Sequence, residues 1–172
     1  MHGLGGVGKT QIALEYAYRH QLHYTYVFWI SAVDQSQLLS GFVDLAKLSG
    51  CAKETNKPSE VAKSVLDWLR VTENRLLNID NLDDITIVKD YLASTSGVGH
   101  TLITTRNENN DGIPAGGLEV TEMNHQDCVQ FLIDRIRVTD PTPEIRNEAH
   151  KIVQELGCLP LAIEHVDITG HK

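Results

Sequence analysis

Eight consecutive residues near the start of the chain, Gly3-Leu4-Gly5-Gly6-Val7-Gly8-Lys9-Thr10, satisfy the pattern GxxxxGK[ST]. Glycines at this spacing let the backbone take left-handed conformations and gather successive N–H groups into one anion-binding concavity. The ammonium of Lys9 then reaches the outer phosphates of a bound polyphosphate, and the hydroxyl of Thr10 offers Mg²⁺ a hard oxygen ligand. Gln11-Ile12-Ala13-Leu14-Glu15-Tyr16-Ala17 is a strong helix former, so a helix starts here with the positive end of its dipole toward the phosphates. The bland alternative is a flexible glycine-rich segment, yet at ordinary glycine usage the pattern arises by chance in under about 1% of chains this long. A phosphate site at Gly5, Gly6, Val7, Gly8, Lys9, Thr10 and Gln11 is the expectation.

Two further groups belong with such a site. Residues 75–80, Arg-Leu-Leu-Asn-Ile-Asp, read as a strand ending in an acidic cluster. Asp80, at the carboxyl end of that strand, is placed to hold the metal's coordination shell opposite Thr10. Asp83 is a further polar contact, and Asp84 reads as the cap of the turn that follows. Asn81 stands where hydrolytic enzymes often carry an acid; a neutral amide is no general base, so fast hydrolysis is not expected unless Asp83 or Asp84 substitutes. The β-branched run Thr101-Leu102-Ile103-Thr104-Thr105 ends in Arg106, whose guanidinium suits bidentate contact with a γ-phosphate and so distinguishes triphosphate from diphosphate.

These groups need a scaffold that brings strand ends together. The 172 residues are 41% apolar and 22% charged, the composition of one ordinary globular domain with a real core. With 15 Lys and Arg against 23 Asp and Glu, the net charge of -8 disfavours a surface that tracks nucleic acid or anionic lipid. Cys51, Cys128 and Cys158 are far apart with no metal or disulfide spacing, so a reduced, cytoplasmic setting is expected. The longest apolar run, residues 24–30, is too short to cross a bilayer. Expected strands at 24–30, 75–80, 100–105 and 118–120 alternate with amphipathic segments, one carrying Leu38, Phe42 and Leu45 and another Val61, Val65 and Leu69. The pattern predicts an α/β parallel sheet flanked by helices. After about residue 122 it turns helical, Asn124 capping one helix and Gly157 closing another. Residues 1–122 therefore form the α/β core and 123–172 a small helical subdomain. Only Met1 and His2 precede the loop, so the first strand that normally carries such a loop is missing, and a truncated chain with exposed strand edges is expected.

In this order the motifs resemble the nucleotide-binding domain of the NB-ARC family, the STAND-class signalling ATPases among P-loop NTPases, as found in NOD-like receptors. Residues 3–10 match its Walker A loop, and Val27-Phe28-Trp29-Ile30-Ser31 resembles its second strand. Residues 76–84 are similar to its apolar strand with a DNxDD ending, and Thr104-Thr105-Arg106 to its TTR sensor. Gly157-Cys158-Leu159-Pro160-Leu161-Ala162 resembles the GLPLA element of the helical subdomain. Alone, that hexapeptide reads as a helix end followed by a proline-started helix; the resemblance implies that Pro160 packs near an adenine. The likeness spans about residues 3–163 and is nearest to members that precede tetratricopeptide arrays. Departures are the absent first strand, Asn78 within the apolar strand, and a tail at 163–170 that stops where the family continues into a winged helix with its MHD histidine.

The resemblance implies an adenine-nucleotide switch: ADP or ATP with Mg²⁺ as cofactors, Lys9, Asp80 and Arg106 as the catalytic set, Thr10 and Asp80 as metal ligands, and at most slow ATPase activity. Partners would be other protein domains, with self-association through the nucleotide-binding domain. Two alternatives compete. A small phosphotransferase would share the loop but needs an arginine-rich lid that this sequence lacks. A fragment that binds no nucleotide would act only through protein contacts. Asn56-Lys57-Pro58-Ser59 lacks the aspartate of a guanine-reading NKxD motif, and the eight histidines show no zinc spacing.

Overall fold

The computed structural model describes residues 1–51, 57–92, 99–109, 113 and 116–166. Asn56 of the NKxD comparison and the tail beyond residue 166 lie outside them. Helices α1 (Lys9–Arg19), α2 (Gln35–Ser49) and α3 (Pro58–Val71) interleave with strands β1 (Tyr26–Ser31), β2 (Arg75–Asp80) and β3 (His100–Ile103). A short α4 (Lys89–Leu92) precedes β3, and α5 (His125–Arg135), α6 (Pro143–Glu155) and α7 (Pro160–Glu164) close the chain.

The strands form one parallel sheet in the order β1-β2-β3, with Ile30 opposite Ile79 and Ile79 opposite Ile103. Central β2 is buried along its apolar length, whereas edge strand β1 leaves Tyr26, Val27 and Trp29 exposed. The continuous apolar run at 24–30 therefore did not mean burial on both faces, because an edge strand has a neighbour on one side only. β1 also starts two residues later than expected. β3 ends at Ile103, and the expected strand at 118–120 is reduced to a bridge at Glu119. Met1 and His2 take part in the sheet. Met1 N donates to Ile103 O (2.6 Å), Thr105 N to Met1 O (3.0 Å) and His2 N to Leu118 O (2.9 Å), and His2 bridges Thr105 and Glu119 in the parallel sense. The two residues before the loop thus lie between the end of β3 and Glu119.

Burial drives α2 and α3 onto the sheet. Asp34 caps α2 by accepting from Gln37 N at 2.8 Å, and Gly50 ends it in a left-handed conformation. Leu38, Phe42, Leu45 and Ala46 of α2 meet Val61, Val65, Leu66 and Leu69 of α3 and Ile30, Leu77 and Ile79 of the strands in one buried cluster. At roughly 1.5–3 kcal/mol per buried large apolar side chain, this layer is the dominant favourable term in the α/β unit. Arg75 is fully buried at the start of β2, its Nε donating to Leu69 O at 2.7 Å. It passes so near Gly99 that a Cβ there would lie 2.3 Å from Arg75 Cγ.

The fold comprises two compact units: Met1–His2 with Lys9–Glu119, and Gly3–Gly8 with Val120–Lys172. The second has its own apolar centre of Cys128, Val129, Leu132, Ile133, Ala149, Val153 and Ile163. Asn124 caps α5 through Asp127 N (2.9 Å), and Thr142 caps α6 through Ile145 N (3.4 Å). Among the described residues no helix is long and apolar enough to cross a membrane.

Gly41 decides how closely α2 approaches the sheet. Alanine would gain about 1 kcal/mol of helix propensity. Its Cβ, however, would lie 2.7 Å from Ile30 Cγ2, and overpacking of this kind costs about 1–3 kcal/mol. Gly41→Ala should lower the denaturation midpoint in a urea titration; an unchanged or raised midpoint would contradict the close α2–β1 contact.

Candidate functional site

In the α/β unit, Asp80 ends β2, and the ladder continues past β3 as Thr104 N donates to Ile79 O at 3.0 Å. Parallel register therefore sets Thr104 beside Asp80, both side chains on one face of the sheet. Thr104 Oγ1 donates to Asp80 Oδ1 at 2.5 Å and accepts from Asn81 N at 2.8 Å. Thr10, second residue of α1, donates its Oγ1 to the same carboxylate oxygen at 2.9 Å. Thr10 and Asp80, expected on opposite sides of one metal shell, here hydrogen-bond directly, and Thr104, expected only as part of the run leading to Arg106, is a third member of the cluster. Its signal was a hydroxyl one ladder step beyond the strand that pairs with β2. Asn81 supplies a backbone N–H from a left-handed conformation (φ 61), which asparagine tolerates better than most residues.

Lys9 opens α1 and is 9% exposed. Burial lowers the pKa of its ammonium; Asp83 and Asp80 pull it back up, and Arg106 pushes it down. Four charges, Lys9, Asp80, Asp83 and Arg106, thus act on one another at the carboxyl end of the sheet. Arg106 is held by Asp83: its backbone N donates to Oδ1 at 2.8 Å and its Nε to Oδ2 at 2.6 Å, with Nη2 also on Oδ2. Burial works against ionisation of Asp83, but the side-chain and backbone donors of Arg106 outweigh it and hold the carboxyl below the usual range. Asp84 accepts from Thr86 N (2.9 Å) and Thr86 Oγ1 (2.6 Å), the capping role read from the sequence. Both carboxylates that offered a substitute base are thereby engaged in structural bonds.

The glycine loop lies in the helical unit. Gly6 O accepts from Leu161 N at 3.2 Å, so the loop rests on the first turn of α7, which Pro160 opens. Gly8 has φ 101 with open space where a Cβ would point, so its glycine is required by backbone conformation alone. Val7 is buried, and Gly5 and Gln11 are exposed. The structure therefore gathers Lys9, Thr10, Asp80 and Arg106 in one unit, and Gly5, Gly6, Val7, Gly8 and Pro160 in the other. His20, His23 and His100 belong to a surface network in which Tyr24 Oη meets His100 Nδ1 at 3.0 Å and Tyr16 Oη at 3.1 Å.

The donor chemistry fits Mg²⁺. Thr10 and Asp80 offer converging oxygens from one hydroxyl and one carboxylate, and Mg²⁺ is commonly bound through one or two carboxylates with phosphate and water completing the octahedron. Among the described residues no group of three His, Cys, Asp or Glu side chains is arranged to hold a metal by itself.

No family model matches the sequence. A nucleotide-binding leucine-rich repeat (NLR)-like protein of Hyaloscypha variabilis is 34% identical over 94% of this chain and 18% of its own length. The regulatory protein AfsR of Streptomyces griseus is 28% identical over 94% of this chain and 17% of its own. The chain thus spans less than a fifth of the curated relatives it matches. Among solved structures, a signal transduction ATPase with numerous domains carrying a tetratricopeptide repeat sensor, from Pyrococcus horikoshii, superposes with TM-score 0.54. It shares 17% identity and covers 94% of this chain and 26% of its own, a likeness of fold.

The depressed Asp83 carboxyl sets a pH dependence whose sign is fixed. A lowered folded-state pKa stabilises above the carboxylate's ordinary value, and that contribution is lost as pH falls through the folded value. Wild type should exceed Asp83→Asn in denaturation midpoint near neutrality, with the gap closing below about pH 4. A gap that is constant across pH would contradict an ionised Asp83 holding Arg106.

Proposed function

We propose that this chain, which belongs to the NB-ARC/STAND type of signalling NTPase domain, binds an adenine nucleotide with Mg²⁺ and works as a switch, ADP-loaded at rest and ATP-loaded when engaged. The observation that carries the reading is the convergence of the Thr10 hydroxyl on the Asp80 carboxylate at the carboxyl end of β2, 2.9 Å apart. Thr10 and Asp80 would hold the Mg²⁺, which when bound neutralises phosphate charge. Lys9 directs its ammonium to the outer phosphates, and its poor hydration strengthens that attraction. The backbone of residues 3–8 cradles the phosphate chain, and Pro160 borders the adenine, a reading supported by the bond from Leu161 N to Gly6 O. Gln11 is the remaining contact on the first turn of α1.

Arg106 reads the nucleotide state. Its guanidinium is already engaged by one carboxylate oxygen, and the terminal oxygens of a γ-phosphate offer the same fork a pair of acceptors. ATP would draw Arg106 from Asp83, and ADP would leave the pair closed. Hydrolysis is slow or absent, because Asn81 carries no base while Arg106 and Thr86 occupy Asp83 and Asp84. The acidic balance, -8 overall, favours protein partners over nucleic acid, in a cytoplasmic setting. Contacts with other domains, including a second copy of this module, would carry the signal.

Thermal unfolding with and without Mg-ADP or Mg-ATP, alongside Lys9→Ala, tests the reading. At roughly 100-fold saturation a specific nucleotide adds about 2.7 kcal/mol, or about 5–11 °C in this size range. The shift should vanish in Lys9→Ala. A folded, nucleotide-free wild type with no shift would contradict it and leave a module that acts through protein contacts alone.

A further inference from the structure

The helical unit holds a cluster that nucleotide binding does not use. α6 ends in a Schellman motif: Gly157 N donates to Gln154 O at 3.1 Å and Cys158 N to Val153 O at 3.0 Å, with Gly157 at φ 63. Cys158 is itself left-handed, at φ 52, a conformation uncommon for a residue with a side chain. This backbone presents Cys158 Sγ to His125 Nδ1 at 3.6 Å. Across the ring, His125 Nε2 lies 2.9 Å from His150 Nδ1, and the two imidazoles stack with centroids 5.0 Å apart. When His125 Nε2–H donates to His150, the Nδ1 lone pair is left facing the thiol. On the other side, Cys128 Sγ donates to Cys158 O at 3.5 Å.

The two cysteines have unequal environments. Cys158 is partly exposed beside an imidazole base, whereas Cys128 is fully buried, and burial together with Cys158 pushes its thiol up to about 12. A partly exposed thiol beside a base suits oxidation, and it is position next to Cys158, not an activated thiol, that makes Cys128 the resolving partner. A shared metal ion suits the cluster less, since His125 turns opposite ring nitrogens toward Cys158 and His150 and offers no common point of ligation.

We propose that Cys158 is a hydroperoxide-sensitive thiol, deprotonated by His125, with His150 fixing the His125 tautomer and Cys128 resolving the oxidised sulfur into a disulfide between α5 and the turn after α6. His125 Nδ1 takes the Cys158 proton, and the thiolate attacks one oxygen of hydrogen peroxide. An S–O bond forms, the O–O bond breaks, and the departing hydroxide recovers the proton from the imidazolium as water. Cys128 sulfur then attacks the sulfenic sulfur of Cys158; the S–O bond breaks and the hydroxyl leaves with the Cys128 proton as a second water. Two thiols are oxidised to one disulfide and one peroxide is reduced to two waters. Any effect of this bond on nucleotide affinity rests on the switch reading above; the thiol chemistry does not.

The test exposes the reduced full chain to hydrogen peroxide, quenches by alkylation and maps peptides over time. Cys51, which accepts from Ser49 Oγ at 3.0 Å in the other unit, is the internal reference. A Cys128–Cys158 disulfide should accumulate while Cys51 stays alkylated, and Cys128→Ser should instead leave Cys158 trapped by dimedone as the sulfenic acid. His125→Gln should slow Cys158 oxidation about tenfold or more with the Cys51 rate unchanged. His150→Asn, which keeps an acceptor for Nε2–H, should retain more of the rate than His150→Ala at equal denaturation midpoints. Oxidation of Cys158 no faster than that of Cys51, a rate unmoved in His125→Gln, or failure to form the disulfide would overturn the proposal.

Discussion

The hydroxyls of Thr10 and Thr104 both donate to Asp80 Oδ1, and that shared acceptor joins the first turn of α1, the end of β2 and the residue after β3. A parallel sheet delivers the carboxyl ends of its strands to one edge, where nothing in the ladder itself satisfies side chains that lie there. Asp80 is satisfied by hydroxyls that are also good oxygen ligands, so the bonds holding the fold together are the ones a cation would recruit. The rest of the α/β unit serves this edge. The α2–α3 layer fixes β1 against β2, the register of β2 with β3 brings Thr104 to Asp80, and Asn81 N holds the Thr104 hydroxyl in the donating orientation.

Charge at the same edge is arranged as a competition rather than a set of closed pairs. Lys9 is buried with its pKa lowered, and Arg106 sits on Asp83 in a partly exposed fork. An anion arriving there meets one cation poor in solvent and another that must exchange one carboxylate for it, an equilibrium that depends on how far the ligand's charge extends. On the proposed reading, the position of the Asp83–Arg106 pair would report the length of the phosphate chain.

Much of this edge was legible in the sequence, for identifiable reasons. β2 fell at residues 75–80 as read, because a buried central strand reads as an apolar run on both faces, here Leu76, Leu77 and Ile79 broken only by Asn78. Thr10 was read from a motif whose spacing is dictated by chemistry and Asp80 from its place at the end of a strand, and the two meet in one hydrogen bond; Asp84 followed from the local rule for a cap. The exposure of Tyr26, Val27 and Trp29 was not legible, since sheet order decides which strand is an edge and periodicity is silent on it. Neither was the way Met1 and His2 join the ladder. The Cys158–His125–His150 relay was equally hidden: its members are distant in sequence and are assembled by a helix ending and by the packing of α5 on α6. The chain spans less than a fifth of the length of its curated relatives.

The central claim, that Thr10 and Asp80 form a divalent-cation site for a bound nucleotide, is most directly tested by titrating a fluorescent ADP analogue into wild type and Asp80→Asn, each with Mg²⁺ and with EDTA. The account predicts that EDTA weakens binding to wild type about tenfold or more, a coupling of about 1.4 kcal/mol, and leaves Asp80→Asn, already weak, nearly unchanged. Equal sensitivity to EDTA in both proteins would contradict it, because the cation would then be held without Asp80.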